Sequence, residues 1–500
     1  MKRPILYLAL GLLLRITNSS IAQSDPLSLT KTFPAAQYQE EVSLLRKALE
    51  ESHPGLYRYT PKHALDSLFD HTTAQLATDK PLGVYYRLLA TLLATVRCAH
   101  TQLAPPPKWD QTIRVLPYNI LFINGKTYIT VNATSHQDTL LIPGSEVISI
   151  NGKPIEGIRE QIKRHLFVDG YSQAGREAAL SKNFGGYYYL LVEQPDSFVV
   201  EMRRYRTGEL VRQNVAAVTA SDWLKNAQTN PVNKVLWDRW RALQKKESVR
   251  LEWTDTQTAV LTIRGFGDNK KDPKLYQQFF RELQNKKAKN LIINLRDNTG
   301  GWDKLGYELF SYLIDKPTRY YDSLTTVTNT IPYLKYTDLD EKFVKSLPKY
   351  LLPLGNGRFS LKAKDEPGLA LQQPRPERFS GQVYVLMNGM SASTTAEFTA
   401  AAHANQLATF VGQETGGAYQ GGHSGEFAVL TLPHTKLRVS IPLVRYKMAV
   451  GTSGPLQRGT LPDYTVQPTI EEAIDGIDTV MNFALELIRN GPTTGKESQK

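Results

Sequence analysis

Over the first fifth of the chain, apolar residues recur every three or four positions. Residues 38–51 and 81–96 carry this spacing, which places one apolar face along a helix. Pro54-Gly55 and Pro61 punctuate the region, so 35–96 reads as helical. The period changes from about position 113. Short apolar or alternating runs at 113–122, 127–131, 146–150 and 197–202 predict strands, and Asn151-Gly152 is a hairpin-turn signal. Residues 222–246 return to helical and loop character.

The second half alternates. Strand patterns at 259–263, 290–295, 383–387 and 409–411 are interleaved with helical patterns at 273–284, 303–313 and 394–405. Such alternation predicts an α/β core with parallel pairing. A long, proline-interrupted stretch at 316–380 reads as a surface insertion or lid. Residues 427–444 alternate like an antiparallel extension, and 470–488 read as a closing helix. No internal repeat is present.

Length and composition bound the rest. Five hundred residues exceed one ordinary core, which predicts two or three domains. A content of 41% hydrophobic and 22% charged residues is that of a globular protein. The formal charge of +12 is scattered among acids, with no Arg/Gly tract and no zinc-ligand spacing, which argues against nucleic-acid binding. The nine histidines are dispersed and no His-Glu-x-x-His occurs, so the sequence alone indicates no metal site and no cofactor. Residues 1–22 read as a secretion signal: Lys2 and Arg3, an apolar stretch, then Ser20-Ile21-Ala22 before Gln23. The expected location is therefore periplasmic or secreted, with no membrane span in the mature chain. Cys98 is the only cysteine, which rules out an intrachain disulfide and fits a small buried residue. Its place two residues before His100 also admits a thiol nucleophile.

Four stretches carry candidate chemistry. Ser393 stands between an apolar strand pattern and an alanine-rich helix. At such a junction a hydroxyl is exposed, and the first N–H groups of the helix can hold an oxyanion. The competing reading is that Ser391 and Ser393 only cap the helix. His100, in Arg97-Cys98-Ala99-His100-Thr101, is of the type suited to take a proton from serine. Asn298-Thr299-Gly300-Gly301 ends a strand in a backbone that can approach a ligand. Gly412-Gln413-Glu414-Thr415-Gly416-Gly417 ends another strand in a glycine-rich loop, read as mobile and lining a cleft.

Taken in this order, the stretches resemble the C-terminal processing (tail-specific) peptidases and their tricorn-like relatives. The similarity includes the glycine pair after Asn298, Ser391-Ala392-Ser393 followed by Glu397-Phe398, and the loop from Gly412. Gly144-Ser145-Glu146-Val147-Ile148-Ser149-Ile150-Asn151-Gly152 resembles the family's PDZ-like domain, and His53-Pro54-Gly55-Leu56-Tyr57 resembles bacterial members with a helical N-terminal region. The resemblance implies a ClpP/crotonase-like α/β peptidase core at 216–490 with an insertion at 316–380. It further implies a PDZ-like domain at 113–215, a helical region at 23–112 and a disordered tail at 491–500.

The resemblance selects Ser393 over Ser391, because the nucleophile lies nineteen residues before Gly412. Ala418 stands where the processing peptidases carry a general-base lysine, so the implied base is His100, from the His-Thr motif of the tricorn-like branch. Gly300 or Gly301, with Thr394, are the implied oxyanion donors. The turn Gly459-Thr460-Leu461-Pro462-Asp463 follows Leu456-Gln457-Arg458 without an acid, which leaves Glu414 or Asp463 to orient His100. The expected activity is hydrolysis of peptide bonds in unfolded or C-terminally recognised proteins. The alternative is a non-catalytic peptide-binding protein on a peptidase scaffold.

Overall fold

The computed structural model describes residues 28–106, 109, 113–134, 142–452 and 454–490. The expected signal at 1–22 and tail at 491–500 lie outside them. Three helices open the described chain: α1 (Ala35–Ser52), α2 (Lys62–Gln75) and α3 (Leu82–Thr95). The apolar spacing explains them. Tyr38, Val42, Leu45 and Leu49 form one buried face of α1, and α3 buries most of its length. A two-residue strand, β1 (Gln102–Leu103), follows the loop that carries His100.

The next unit is an antiparallel sheet. Its strands are β2 (Tyr118–Ile123), β3 (Lys126–Asn132), β4 (Glu146–Ile150), β5 (Lys153–Pro154), β6 (Ser197–Arg203) and β7 (Leu210–Ala216). They lie in the order β7-β6-β4-β3-β2, with β5 paired to β4. The Asn151-Gly152 turn forms as the sequence requires: both residues have positive φ, at 50° and 73°, and Ile150 faces Lys153. Three helices between β5 and β6 were not legible in the pattern: α4 (Ile155–Lys163), α5 (Gln173–Lys182) and α6 (Phe184–Leu191). The last two have weak apolar periodicity, because α6 is apolar nearly all round and α5 buries little.

Helices α7 (Ala220–Thr229) and α8 (Lys234–Lys245) lead into the α/β core. The chain runs through β8 (Val249–Trp253), β9 (Thr258–Ile263), α9 (Asp272–Asn285), β10 (Asn290–Asn294) and α10 (Asp303–Ser311). The stretch read as an insertion contains β11 (Tyr321–Thr326), α11 (Glu341–Tyr350), β12 (Leu351–Gly355) and β13 (Arg358–Leu361). It is no loose excursion: Tyr320 and Tyr321 are fully buried, and β11 pairs with a late strand. After it come β14 (Gln382–Met387), α12 (Thr394–Ala404), β15 (Thr409–Gly412), β16 (His423–Thr431), β17 (Arg438–Met448) and β18 (Tyr464–Thr465). The closing helical pattern is two helices, α13 (Ile470–Asp475) and α14 (Thr479–Asn490), separated at Gly476, whose φ of 72° ends the first.

Two six-stranded sheets organise this half. One has the order β8-β9-β10-β14-β15-β18 and is parallel from β9 onward. Alternate residues of its strands serve opposite faces. Leu261, Ile293 and Val385 pack with Phe280, Leu309 and Phe398, while Val260, Ile292 and Leu386 pack with Val480, Ala484 and Leu487 of α14. The other sheet has the order β12-β13-β11-β17-β16, and β1 joins β17 as a further antiparallel partner.

Candidate active site

Three segments meet at the carboxyl ends of the parallel strands, where open α/β sheets place their ligands. Each follows a paired strand: Asn294 of β10 faces Leu386 of β14, and Met387 faces Gly412 of β15. Beyond these ends lie the Asn298–Gly301 turn, the Ser393 turn and the glycine-rich loop.

Ser393 is the residue preceding α12. Its φ of 54° and ψ of −131° lie in a region that favours glycine, and its side chain makes no capping hydrogen bond. The capping reading therefore fails for Ser393. Ser391 is fully buried and bonded on both sides. Its Oγ donates to the Leu295 carbonyl at 3.0 Å and accepts the Asn388 N–H at 3.1 Å. The two serines have different work: Ser391 fixes the turn, and Ser393 faces the cleft.

Asn298 builds the opposite wall. Its side-chain amide donates to the Ile263 carbonyl at 3.0 Å, and its side-chain oxygen accepts the Gly300 N–H at 2.9 Å. Gly300 is thereby corrected as an oxyanion donor, since its N–H is already taken. The Gly301 and Thr394 N–H groups have no acceptor among the described residues. Thr394 Oγ1 donates to the Gly301 carbonyl at 2.9 Å, which ties the two donors' segments together.

The glycine-rich loop is held rather than mobile. Gly416 and Gly417 donate backbone N–H groups to the Ser391 carbonyl at 2.9 and 3.3 Å. A β-carbon on Gly416 would lie 2.3 Å from the Gly389 carbonyl oxygen, so only glycine allows this contact.

His100 reaches the cleft by strand pairing. Leu103 and Gln102 of β1 face Val439 and Ser440 of β17, and Ala104 N–H donates to the Arg438 carbonyl at 2.9 Å. Asp169 accepts the Ala99 N–H at 2.8 Å, and the Thr101 hydroxyl is 2.9 Å from His53 Nε2. His100 and Ser393 line one cleft of about 1650 Å³, together with Gly300, Gly301 and Thr394. The His100 ring lies against Phe427, and its Nδ1 is buried without a hydrogen-bond partner among the described residues.

Neither acid expected to orient that nitrogen reaches it. Glu414 accepts from Arg458 Nε and Nη2 at 2.9 Å each, from Gly459 N–H at 3.0 Å and from Gln173 N–H at 3.2 Å. Asp463 accepts the Phe410 N–H at 2.8 Å and fixes the β15 edge. Both carboxylates are structural because backbone donors hold them elsewhere. Cys98 is no nucleophile: burial pushes its thiol up to about 12, far from the reactive thiolate.

Sequence reasoning gave no role to Asp303, Glu366 and Glu397, which are among the carboxyls that line the cleft. Glu397 is raised to about 8, first by burial and then by the neighbouring Asp303. It accepts a hydrogen bond from Tyr321 at 2.7 Å. Glu366 is raised to about 7 by the same two causes. Glu397 was visible in principle, four residues after Ser393 and so one turn along α12. Asp303 and Glu366 carry no local signal. Lys182, also in the cleft, is lowered by burial.

Residues 257–466 match the model of peptidase family S41. The chain carries an S41 peptidase domain. That match makes it a serine-type peptidase, with peptide or protein as substrate, and spans Gly300, Gly301, Ser393 and Thr394 but not His100. Solved structures of the same fold include a CPAF mutant with one serine replaced by alanine, 16% identical, covering 92% of this chain and 99% of that one at a TM-score of 0.63. Mature CPAF complexed with lactacystin is 15% identical and covers 91% and 99% at a TM-score of 0.60. No curated protein sequence matches the chain. Among the described residues, no helix is long and apolar enough to cross a membrane.

Proposed function

We propose that this S41 domain hydrolyses peptide bonds by a Ser393–His100 mechanism. Ser393 Oγ attacks the scissile carbonyl carbon while His100 takes the hydroxyl proton. The Gly301 and Thr394 N–H groups hold the oxyanion. Collapse of the tetrahedral intermediate breaks the C–N bond, and His100 gives the proton to the leaving amine. Water, deprotonated by the same imidazole, then releases the acyl group. The observation that carries the reading is Ser393 itself: an unbonded hydroxyl on a strained backbone, at a helix N-terminus, in the cleft that also receives His100.

The antiparallel unit from β2 to β7 would serve as the PDZ-like domain, docking an extended substrate by strand addition. The leader at 1–22 would export the chain to the periplasm or medium, with a mature start at Gln23.

A fluorophosphonate probe tests the nucleophile. It should label the mature protein but not Ser393→Ala, and unfolded protein substrates should be cleaved only by the labelled form. Equal labelling of both would remove Ser393 from the mechanism. The unpartnered His100 Nδ1 favours a second reading, a peptide-binding protein without turnover. Peptide binding with neither labelling nor cleavage would establish it.

A further inference from the structure

Three metal-ligating side chains, far apart in the sequence, meet beside the loop that carries His100. His53 follows α1, Cys98 lies in the loop itself and His423 begins β16. They are 3%, 1% and 1% exposed. One nitrogen of each histidine and the cysteine sulfur lie within 4.8 Å of one another.

His53 is hydrogen bonded through both ring nitrogens, to Gly55 N–H at 3.1 Å and to the Thr101 hydroxyl at 2.9 Å. His423 is different. Both of its ring nitrogens are buried and neither has a hydrogen-bond partner among the described residues. An imidazole always has polar atoms to satisfy, and leaving them unmet in an interior is strongly unfavourable. Gly55 packs directly over the His423 ring, where a β-carbon would be 1.8 Å from Nε2.

We propose that His53, Cys98 and His423 bind a zinc ion. A thiolate and two imidazoles form a donor set that suits zinc, and three protein ligands leave the fourth tetrahedral position to a water or other exogenous ligand. Binding converts the Cys98 thiol to thiolate, forms the sulfur–zinc bond and releases one proton, so affinity falls as pH falls, and at His53 the zinc–nitrogen bond replaces one of the two ring hydrogen bonds. The ligand atoms would close to about 3.5 Å from one another, as expected for zinc–nitrogen and zinc–sulfur bonds at tetrahedral angles. The ion would join the end of α1, the His100 loop and β16. This assignment does not depend on the peptidase mechanism.

The test uses the full mature chain, stripped with a chelator, dialysed against zinc or cobalt(II) and desalted. About one zinc per chain should be retained, and cobalt should give a sulfur-to-metal charge-transfer absorption in the near ultraviolet. Retention should fall by about tenfold or more in Cys98→Ser and in His423→Gln. Zinc should raise the melting temperature of the wild type and not of Cys98→Ser. If either variant fails to fold, the wild-type cobalt spectrum decides. A wild type that retains no zinc, or a cobalt spectrum without the thiolate band, overturns the proposal.

Discussion

A β-carbon added to Gly300 would stand 2.7 Å from Cβ of Ser393. The same atom would lie 2.9 Å from the Ala392 carbonyl oxygen and 3.0 Å from the Thr394 nitrogen. Gly300 also has a φ of 99°, which other residues rarely adopt. The turn after β10 and the turn before α12 are therefore fitted to each other without space for a methyl group. Gly300→Ala should lower stability by about 1–3 kcal/mol for the backbone strain alone. By displacing the hydroxyl it should also cut kcat by roughly 100-fold. Chemical denaturation and steady-state kinetics on a peptide substrate read the two effects separately; an alanine variant with unchanged kcat would show that the fit is irrelevant to chemistry.

Strain at Ser393 separates function from stability. Ser393→Ala keeps the unfavourable φ and removes the hydroxyl. Ser393→Gly removes both. Both variants should be inactive, and the glycine variant should be more stable than the alanine variant by about 1 kcal/mol or more, since relief of strain outweighs glycine's added chain entropy. Equal melting temperatures for the two would contradict this account.

Replacing the base acts on the transition state. His100→Ala should lower kcat by about 1,000- to 10,000-fold with little change in KM, because the imidazole moves a proton and does not grip the peptide. A KM-only effect would reassign His100 to substrate binding.

Glu414 offers a test of structure against orientation. Glu414→Ala removes a buried carboxylate bonded to Arg458, Gly459 and Gln173, and should destabilise the chain by about 2 kcal/mol or more. Activity per folded molecule should stay near the wild-type level. A selective loss of kcat with unchanged stability would return Glu414 to the catalytic group.

The cleft carboxyls set a pH dependence. Glu397 ionises near 4.5 when unfolded and is raised to about 8 in the folded chain, so the native state holds its proton more tightly. Its contribution to stability is complete below about 4.5 and is lost as pH rises toward 8. Glu366 acts in the same direction up to about 7. Melting temperature should therefore decline across this range, and Glu397→Gln should flatten the decline. A variant with the same slope as wild type would exclude Glu397 as its source.

Much of this chain is written in short-range pattern. Apolar spacing of three and four residues specified α1 and α3, and alternation of strands with helices specified the parallel core, because burying one face of each element depends on its own period. Asn151-Gly152 and the glycines after Asn298 marked their turns because the positive φ angles there demand such residues. The strand-to-helix junction at Ser393 followed from the same local rules. Other features depend on partners hundreds of residues away. Pairing of Leu103 with Val439 delivers His100 to the cleft, and the hydrogen bonds of Glu414 and Asp463 turn both acids away from it. The meeting of His53, Cys98 and His423, and of Asp303 with Glu397, likewise comes from tertiary packing. No period or spacing encodes such encounters: the sequence sets which surfaces each element must bury, whereas the packing of those surfaces decides which polar side chains meet between them.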